Sequence, residues 1–459
     1  MSQQALMNNK MGTMPVGRLL FTMALPLAAS MLVQALYNVV DSVYVSHYSE
    51  SAVTALSLAF PVQNLLIGFA TGIGVGMNSL LSKSLGENNR QRGNFAAGNG
   101  IFLMLLAAAL FMLFGIFGSH PYFAMQSEVK ETVKGGSEYI AICGIFSLGI
   151  FVEILGERML QASGRTIFTL FTQGTGAVLN ILLDPVFIFG VPALHIPAMG
   201  MAGAAVATVI GQWVAAILAV IFNLKFNKDI SFKLKYIRPD REIVKKILSV
   251  GVPSIIMMAI GSVMTFGMNG IFQGFKDYGE TATGVFGVYF KLQSFFLMPI
   301  IGINNASVSI IAYNYGARKP ERITRNLRFS VSGALVIMLL GLTAFQALPQ
   351  LLLAPFEPSE TFEKLGISAL RTVSFHFPMA AVTIALGASF QAMGNGIYST
   401  ITSLCRQLLM LLPVAYLISL SGDVQAVFWA FPVAEVVSMT LSVFFFRRIY
   451  KQKIIPLYT

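Results

Sequence analysis

The stretch Gln161-Ala-Ser-Gly164 returns 230 residues later as Gln391-Ala-Met-Gly394. Other residues recur at the same spacing: Phe60, Gln63, Gly72, Gly86 and Arg92 match Phe290, Gln293, Gly302, Gly316 and Arg322. A repeat at half the chain length indicates that one structural unit is present twice. We therefore predict two similar halves, an arrangement that often encloses a transport path when the halves are membrane-embedded.

The composition is that of a membrane protein. Of 459 residues, 55% are hydrophobic and only 11% are charged, whereas a soluble protein carries about 25% charged residues. The apolar residues form runs of about 20, the length of a transmembrane helix. We predict an all-α membrane protein with twelve spans, near residues 17–45, 53–81, 95–117, 137–159, 166–188, 198–224, 244–272, 282–312, 327–348, 365–388, 396–419 and 424–446.

The net charge of +11 follows the predicted topology. With the N-terminus inside, 24 of the 31 Lys and Arg residues fall on the inner side, which is the positive-inside pattern of a cytoplasmic membrane protein. This distribution argues against nucleic-acid binding. We expect a multi-pass protein of the cell membrane, bathed in membrane lipid, with both termini in the cytoplasm.

Five segments organise the predicted chain. An N-terminal tail (1–16) precedes a six-helix lobe (17–224), a basic cytoplasmic linker (225–243), a second six-helix lobe (244–446) and a C-terminal tail (447–459). Because each half has an even number of spans, both halves begin on the same side of the membrane. The repeats are therefore parallel rather than inverted.

Signals for catalysis are missing from the sequence. It has no Gly-Lys dipeptide and hence no Walker A loop, and its four histidines have no metal-ligand spacing. The two cysteines imply neither a disulfide framework nor a metal site. We expect no enzyme activity and no bound cofactor, and we expect transport to draw on an ion gradient.

Acidic residues within the first half are the leading site candidates, since ionisable groups inside a membrane are costly. Gln34, Tyr37 and Asp41 share one helix face, and Asn180 lies one turn before Asp184. Their oxygens suit Na⁺, and two neighbouring carboxylates can also share a proton. Alternatively, both aspartates cap helix ends at the outer interface.

The repeat provides an internal control for this acidic site. Residues of a shared scaffold should recur in both halves, whereas residues of a single ion site need not. In the second half the positions of Asp41, Asn180 and Asp184 hold Met268, Met410 and Val414. The ion site is therefore predicted in the first half only.

The remaining polar and flexible residues leave alternatives open. Met257 and Met264 in span 7 suit a permissive substrate cavity or an ordinary core, and we assign Gln293 to the substrate cavity as well. For Glu153 and Glu157, a local pair with Arg158 or snorkelling to the inner surface is favoured over transport. Lys291 and Arg406 either orient a substrate or pair with a carboxylate such as Glu435.

Several of these motifs together resemble the multidrug and toxic-compound extrusion (MATE) family, over roughly residues 15 to 448. The resemblance is carried by Pro26, by Leu36-Tyr-Asn-Val-Val-Asp41, by the two Gln-Ala-x-Gly loops and by Asn180-Ile-Leu-Leu-Asp184-Pro185. It implies a V-shaped pair of six-helix lobes with a central cavity. It also implies a cation-coupled exporter, driven by Na⁺ or H⁺, for small molecules that are often bulky, apolar or cationic.

The same resemblance assigns roles to individual residues. Asp41, Asn180 and Asp184 match the ion-coupling residues of the prokaryotic branch with an acidic first lobe, and Thr208 is the nearest match to a family threonine. Gln34, Tyr37 and Tyr139 match residues that line the same cavity. We expect a monomer. The alternatives are an exporter or flippase of a lipid-linked or anionic metabolite, and a membrane protein without transport activity.

Overall fold

The computed structural model describes residues 9–192, 195–276, 278–356 and 359–458, so residues 1–8 of the predicted N-terminal tail and residue 459 of the C-terminal tail lie outside it. The all-α prediction is confirmed. Within the described ranges the only β-type pairing is an isolated bridge between Val191 and Ile196. The α-helices are α1 Lys10–Thr13, α2 Val16–Tyr48, α3 Glu50–Gly86, α4 Arg90–Phe117, α5 Ser119–Gln126, α6 Lys130–Ile145, α7 Leu148–Ala162, α8 Ile167–Phe189, α9 Met201–Phe226, α10 Arg241–Gln273, α11 Gly279–Gly316, α12 Pro320–Ala347, α13 Pro349–Leu353, α14 Glu360–Ser374, α15 Phe377–Ala392, α16 Gly396–Leu404, α17 Leu412–Ser419, α18 Val424–Val427 and α19 Ala430–Ile449.

Two segments of π-helix interrupt this pattern, at Cys405–Leu411 between α16 and α17 and at Tyr450–Ile454 after α19. Ten helices of the described chain are long and apolar enough to cross a membrane. Two further pairs qualify as single broken spans: α6 with α7, bent by 49°, and α14 with α15, bent by 48°. Counting each bent pair once gives the predicted twelve spans.

The recurring Gln-Ala-x-Gly stretches end equivalent helices. Gly164 follows α7 and Gly394 follows α15, with positive φ angles of 77° and 74°. In both loops the backbone N–H of the next residue returns to the helix, from Arg165 to Leu160 O and from Asn395 to Phe390 O, each at 2.7 Å. Glycine adopts this left-handed conformation without a steric penalty. The repeated motif is therefore a repeated helix stop.

The helices form two compact units. One contains Ala29–Ile255, and the other contains the described residues up to Ala28 together with those from Ile256 onward. The first unit has an apolar core around Phe123, Tyr139 and Ile188, while an aromatic core with Phe272, Phe286 and Phe428 lies in the second. The chain passes between units within α2 and within α10.

In the first unit, the segment that leads into α10 lies against α4. Asn99 Oδ1 accepts the backbone N–H of Asp240 at 2.8 Å, and Asn94 Oδ1 accepts that of Ser231 at 2.8 Å. A Cβ atom on Gly98 would lie 2.1 Å from Tyr236 O, so only glycine fits there. The connection after α9 is therefore held in place by α4.

In the second unit, the segment that leads into α2 lies against α11 and α12. Arg322 donates to Met11 O at 3.0 Å and to Met14 O at 2.7 Å, and Asn314 Nδ2 donates to Met11 O at 3.2 Å. Lys319 Nζ donates to Gly12 O at 2.9 Å. Thus the short helix α1 is fixed to the second unit by side chains that bind its carbonyl groups.

Candidate functional site

A cavity of about 240 Å³ lies within the first unit, among α2, α3, α6, α7, α8 and α9. Six of the sequence-predicted residues line it, and polar side chains that the sequence analysis had not selected join them. The predicted group comprises Gln34, Tyr37, Asp41, Tyr139, Asn180 and Thr208; the additional polar residues are Gln63, Asn64, Glu153, Gln173 and Gln212.

Asn180 connects the helices at this cavity. Its Nδ2 donates to Asp184 Oδ1 at 3.1 Å, one turn further along α8, and to Thr208 Oγ1 on α9 at 3.3 Å. Glycines allow this close approach, because a Cβ on Gly211 would lie 2.7 Å from Gly176 O. The structure thus brings Asn180, Asp184 and Thr208 together.

Three oxygens at this site have no hydrogen-bond partner among the residues that the structure describes: Asp41 Oδ1, Asn180 Oδ1 and Asp184 Oδ2. Asp184 is fully buried and Asp41 is 9% exposed. The two carboxyl groups lie close enough for their charges to interact. Buried oxygens without a donor are costly, and a bound cation or proton would relieve that cost.

The donor set fits a monovalent cation better than a transition metal. It consists of carboxyl and amide oxygens, the ligands that hard cations prefer. No group of three His, Cys, Asp or Glu side chains within the described ranges is placed to hold a metal ion. A Na⁺ ion bound here would be held by Asp41, Asn180 and Asp184, and a proton would be held by either carboxyl group.

Two tyrosines, Tyr37 and Tyr139, line the cavity. Tyr139 is buried, and its hydroxyl accepts a hydrogen bond from Gln63 Nε2 at 2.6 Å. Tyr37 lies within electrostatic reach of both Asp41 and Glu153. The aromatic faces, together with Phe60, give the cavity both apolar and π-electron surface.

Glu153 is a cavity residue that the sequence analysis placed elsewhere. It lines the cavity from α7, whereas the local-pair interpretation assigned it to the inner end of the helix. Glu157 accepts hydrogen bonds from Thr172 Oγ1 at 2.6 Å and Gln173 Nε2 at 2.9 Å, and Arg158 lies within its electrostatic reach. The sequence signal that could have pointed to this arrangement is the i, i+4 spacing of the two glutamates, since it places both side chains on one face of the helix.

The other predicted substrate residues lie in the second unit. Met257 lines a separate cavity there, and Met264 packs in the apolar core. Gln293 is buried, with its Nε2 3.3 Å from His376 Nε2. None of these three lines the first-unit cavity.

A buried polar cluster surrounds His376. Its Nε2 is 2.9 Å from the Tyr289 hydroxyl, and its Nδ1 is 4.0 Å from Glu435 Oε2. Arg406 Nη1 lies 3.4 Å from the same Glu435 oxygen, which is the cross-bundle pair that the sequence analysis named as one alternative. Lys291 is exposed.

One family model, MatE, matches the chain twice, over residues 26–186 and 253–417. The matches begin 227 residues apart, the spacing of Pro26 and Pro253, and together cover more than half of the chain. The chain belongs to the MatE family. The family prediction is therefore confirmed, and each half of the repeat corresponds to one copy of the family unit.

Curated relatives and solved structures agree with this assignment. The multidrug export protein MepA of Staphylococcus haemolyticus is 22% identical over 422 residues, which cover 92% of this chain and 91% of MepA. MepA of Staphylococcus saprophyticus is 23% identical over 415 residues, 90% of each chain. A MOP superfamily transporter from Pyrococcus furiosus superposes with a TM-score of 0.89 at 24% identity over 98% of each chain. A crystal structure of MATE in complex with MaL6 gives the same TM-score and identity over the full length of both chains. At this identity, the likeness to the solved structures establishes the fold.

Proposed function

We propose that this MatE family protein exports small molecules from the cell in exchange for a cation, with Asp41, Asn180 and Asp184 as the coupling site. The observation that carries the proposal is the convergence of three buried oxygens without a donor in the described structure. Na⁺ or a proton would satisfy them. The names of the MepA relatives support multidrug export as the activity.

Coupling requires that the cation bind one conformation more tightly than another. Asp41 lies on α2, while Asn180 and Asp184 lie on α8, so a bound cation would tie the two helices together. Without it, the two buried carboxylates would repel each other and favour a different packing of α2. We propose that this difference in packing underlies alternating access between the two sides of the membrane.

The first-unit cavity favours cationic or apolar substrates. Its charged lining residues, Asp41 and Glu153, are acidic, and Tyr37 and Phe60 offer aromatic faces to a cation. We propose a non-enzymatic transporter that works as a monomer in the cell membrane. In this topology both termini lie in the cytoplasm. The basic linker 225–243, which connects lobe 17–224 to lobe 244–446 along the chain, lies there as well.

The test is efflux of a fluorescent cationic dye from proteoliposomes. An imposed Na⁺ gradient is compared with an imposed pH gradient, which identifies the coupling ion. We expect Asp41→Asn with Asp184→Asn to slow gradient-driven efflux at least about tenfold, because both ionisable groups are removed. The matched control, Glu128→Gln with Glu280→Gln, removes two exposed carboxylates and should leave efflux unchanged. Normal gradient-driven efflux in the aspartate double variant would refute the coupling site.

A further inference from the structure

A second cavity, of about 100 Å³, lies inside the second unit and takes no part in the proposed export mechanism. It is bordered by α10, α11, α15, α16, the π-helical segment Cys405–Leu411 and α19. Its polar lining residues include Asn304, Thr383, Ser403, Arg406, Ser438 and Ser442. It combines a guanidinium group with several hydroxyl groups.

This cavity is the repeat counterpart of the first-unit cavity. At the spacing of 230 residues, lining residues of one cavity correspond to lining residues of the other: Glu153 to Thr383, Gly176 to Arg406, Thr208 to Ser438 and Gln212 to Ser442. The two repeat units thus contain equivalent cavities. The charges of the two cavities differ, because in the second cavity a hydroxyl replaces a carboxylate of the first and an arginine replaces a glycine.

Arg406 gives the second cavity its positive charge. Its Nη1 is 3.4 Å from Glu435 Oε2, a long contact that uses one of five guanidinium N–H groups. Glu435 does not border the cavity, so the carboxylate that partly offsets the charge of Arg406 lies outside the cavity lining. Arg406 also lies in a π-helical segment, a local widening that is frequent at functional sites.

Hydroxyl groups beside Arg406 are available as donors. Ser438 and Ser442 are fully buried, and neither Oγ has a hydrogen-bond partner within the described part of the chain. Ser403 Oγ accepts from Gln407 Nε2 at 2.8 Å, which leaves its own O–H group outside that bond. Buried hydroxyls are normally paired, so unpaired ones that border a cavity point to a ligand that accepts hydrogen bonds.

We propose that this second-unit cavity binds a carboxylate group, with Arg406 as the counter-charge and Ser438, Ser442 and Ser403 as hydrogen-bond donors. A guanidinium fork matches the two oxygens of a carboxylate, and the small volume suits one such group. A cation would be repelled by Arg406. The carboxylate belongs either to a free small anion or to one end of an exported compound.

Binding is tested with acetate as the probe, by saturation-transfer NMR on the full-length protein in an uncharged detergent. Ser438→Ala with Ser442→Ala removes two hydroxyls that have no protein partner in the described structure, and we expect acetate affinity to fall about tenfold. Arg406→Gln with Glu435→Gln removes both charges together, so that neither is left buried alone, and should abolish binding. Tryptophan fluorescence during thermal unfolding shows whether each variant is folded.

The matched control is Thr440→Ala on the same helix. Thr440 is exposed and donates to Val436 O, and its loss should leave acetate affinity unchanged. Acetate affinity equal in wild type and both double variants, or no acetate binding by folded wild type, would overturn the proposal. Because no gradient is applied, this result is independent of whether the protein exports anything.

A second arm identifies the source of the carboxylate. Efflux of a rhodamine carboxylic acid is compared with efflux of its ethyl ester, which differs only at that carboxyl group. If the serine double variant slows the acid and spares the ester, the cavity holds an exported compound. If acetate binding is lost while both dyes leave at wild-type rates, the cavity holds a free anion.

Discussion

The two repeat-related cavities have charged lining residues of opposite sign. The first is lined by Asp41 and Glu153, while the second is lined by Arg406. Within the described structure, neither Asp41 nor Asp184 has a cationic partner, whereas Arg406 has Glu435 within 3.4 Å. The first cavity therefore presents acidic groups with no positive partner, while the second presents an arginine whose carboxylate partner lies outside the cavity lining.

The sharpest test of this difference removes one carboxyl group from each unit. Glu435→Gln leaves Arg406 without its counter-charge, and breaking a buried pair costs about 3–5 kcal/mol. Since the Arg406 side chain is 28% exposed, we expect a smaller loss of stability, about 2 kcal/mol. By contrast, Asp184→Asn removes a buried carboxyl group that has no cationic partner in the described structure, so it should leave stability unchanged or slightly raised.

Thermal unfolding of the purified protein in detergent, at one scan rate, measures both variants. The charge-balance interpretation requires a lower midpoint for Glu435→Gln and an unchanged or higher one for Asp184→Asn. The opposite order would show that the Asp184 carboxyl group stabilises the folded protein and that the Glu435 carboxyl group destabilises it.

Gly176 on α8 and Gly211 on α9, which pack closely together, both line the first cavity. A side chain on Gly211 would meet Gly176 O, so Gly211→Val must separate α8 from α9 and should cost about 2 kcal/mol through overpacking. The repeat partner of Gly211 is Leu441, which is half-buried. Leu441→Val should cost less than about 1 kcal/mol, since it only trims a side chain. Equal shifts in the unfolding midpoint would mean that close glycine packing does not distinguish the two units.

Much of the architecture was predictable because repetition and helix stops leave strong local signals. The Gln-Ala-x-Gly stretches revealed the repeat by their identity alone, and the structure adds that each one ends a helix at a glycine with positive φ. The bends between α6 and α7 and between α14 and α15 were missed, although they fall within one residue of the repeat spacing. Gly144 and Gly149 flank the first bend and Pro378 follows the second, but the apolar runs continue across both, so each pair was predicted as one continuous span.

Site residues were predictable where charge made them conspicuous. Asp41 and Asp184 stood out because ionisable groups are rare in apolar helices, and Asn180 because it lies one turn before Asp184. The structure places all three at the first cavity or directly beside it. For Glu153, a local pair with Arg158 or snorkelling was favoured over transport because Arg158 is nearby in sequence, while its place on the cavity wall depends on how α7 packs. Serines such as Ser438 and Ser442 are common in membrane helices and carry no signal until the cavity is seen.

The smallest effect is expected where the repeat keeps a residue and changes its partner. Arg92 and Arg322 are equivalent, but Arg92 pairs with the Glu87 side chain at 2.8 Å, while Arg322 binds the carbonyl groups of Met11 and Met14. Arg322→Gln should therefore release the segment around α1, at a cost of about 1 kcal/mol. Arg92→Gln removes a partly exposed ion pair, worth less than about 1 kcal/mol.

Hydrogen exchange of the backbone amides around α1 measures this directly. Arg322→Gln should speed exchange at Gly12 and Met14, whose N–H groups bond to Asn9 O and Lys10 O within α1. Arg92→Gln serves as the matched control, because it removes the same charge from the equivalent helix and does not touch α1. If both variants exchange at the wild-type rate there, Asn314 and Lys319 are enough to hold α1. The different hydrogen-bond partners of Arg92 and Arg322 would then make no difference to the stability of α1.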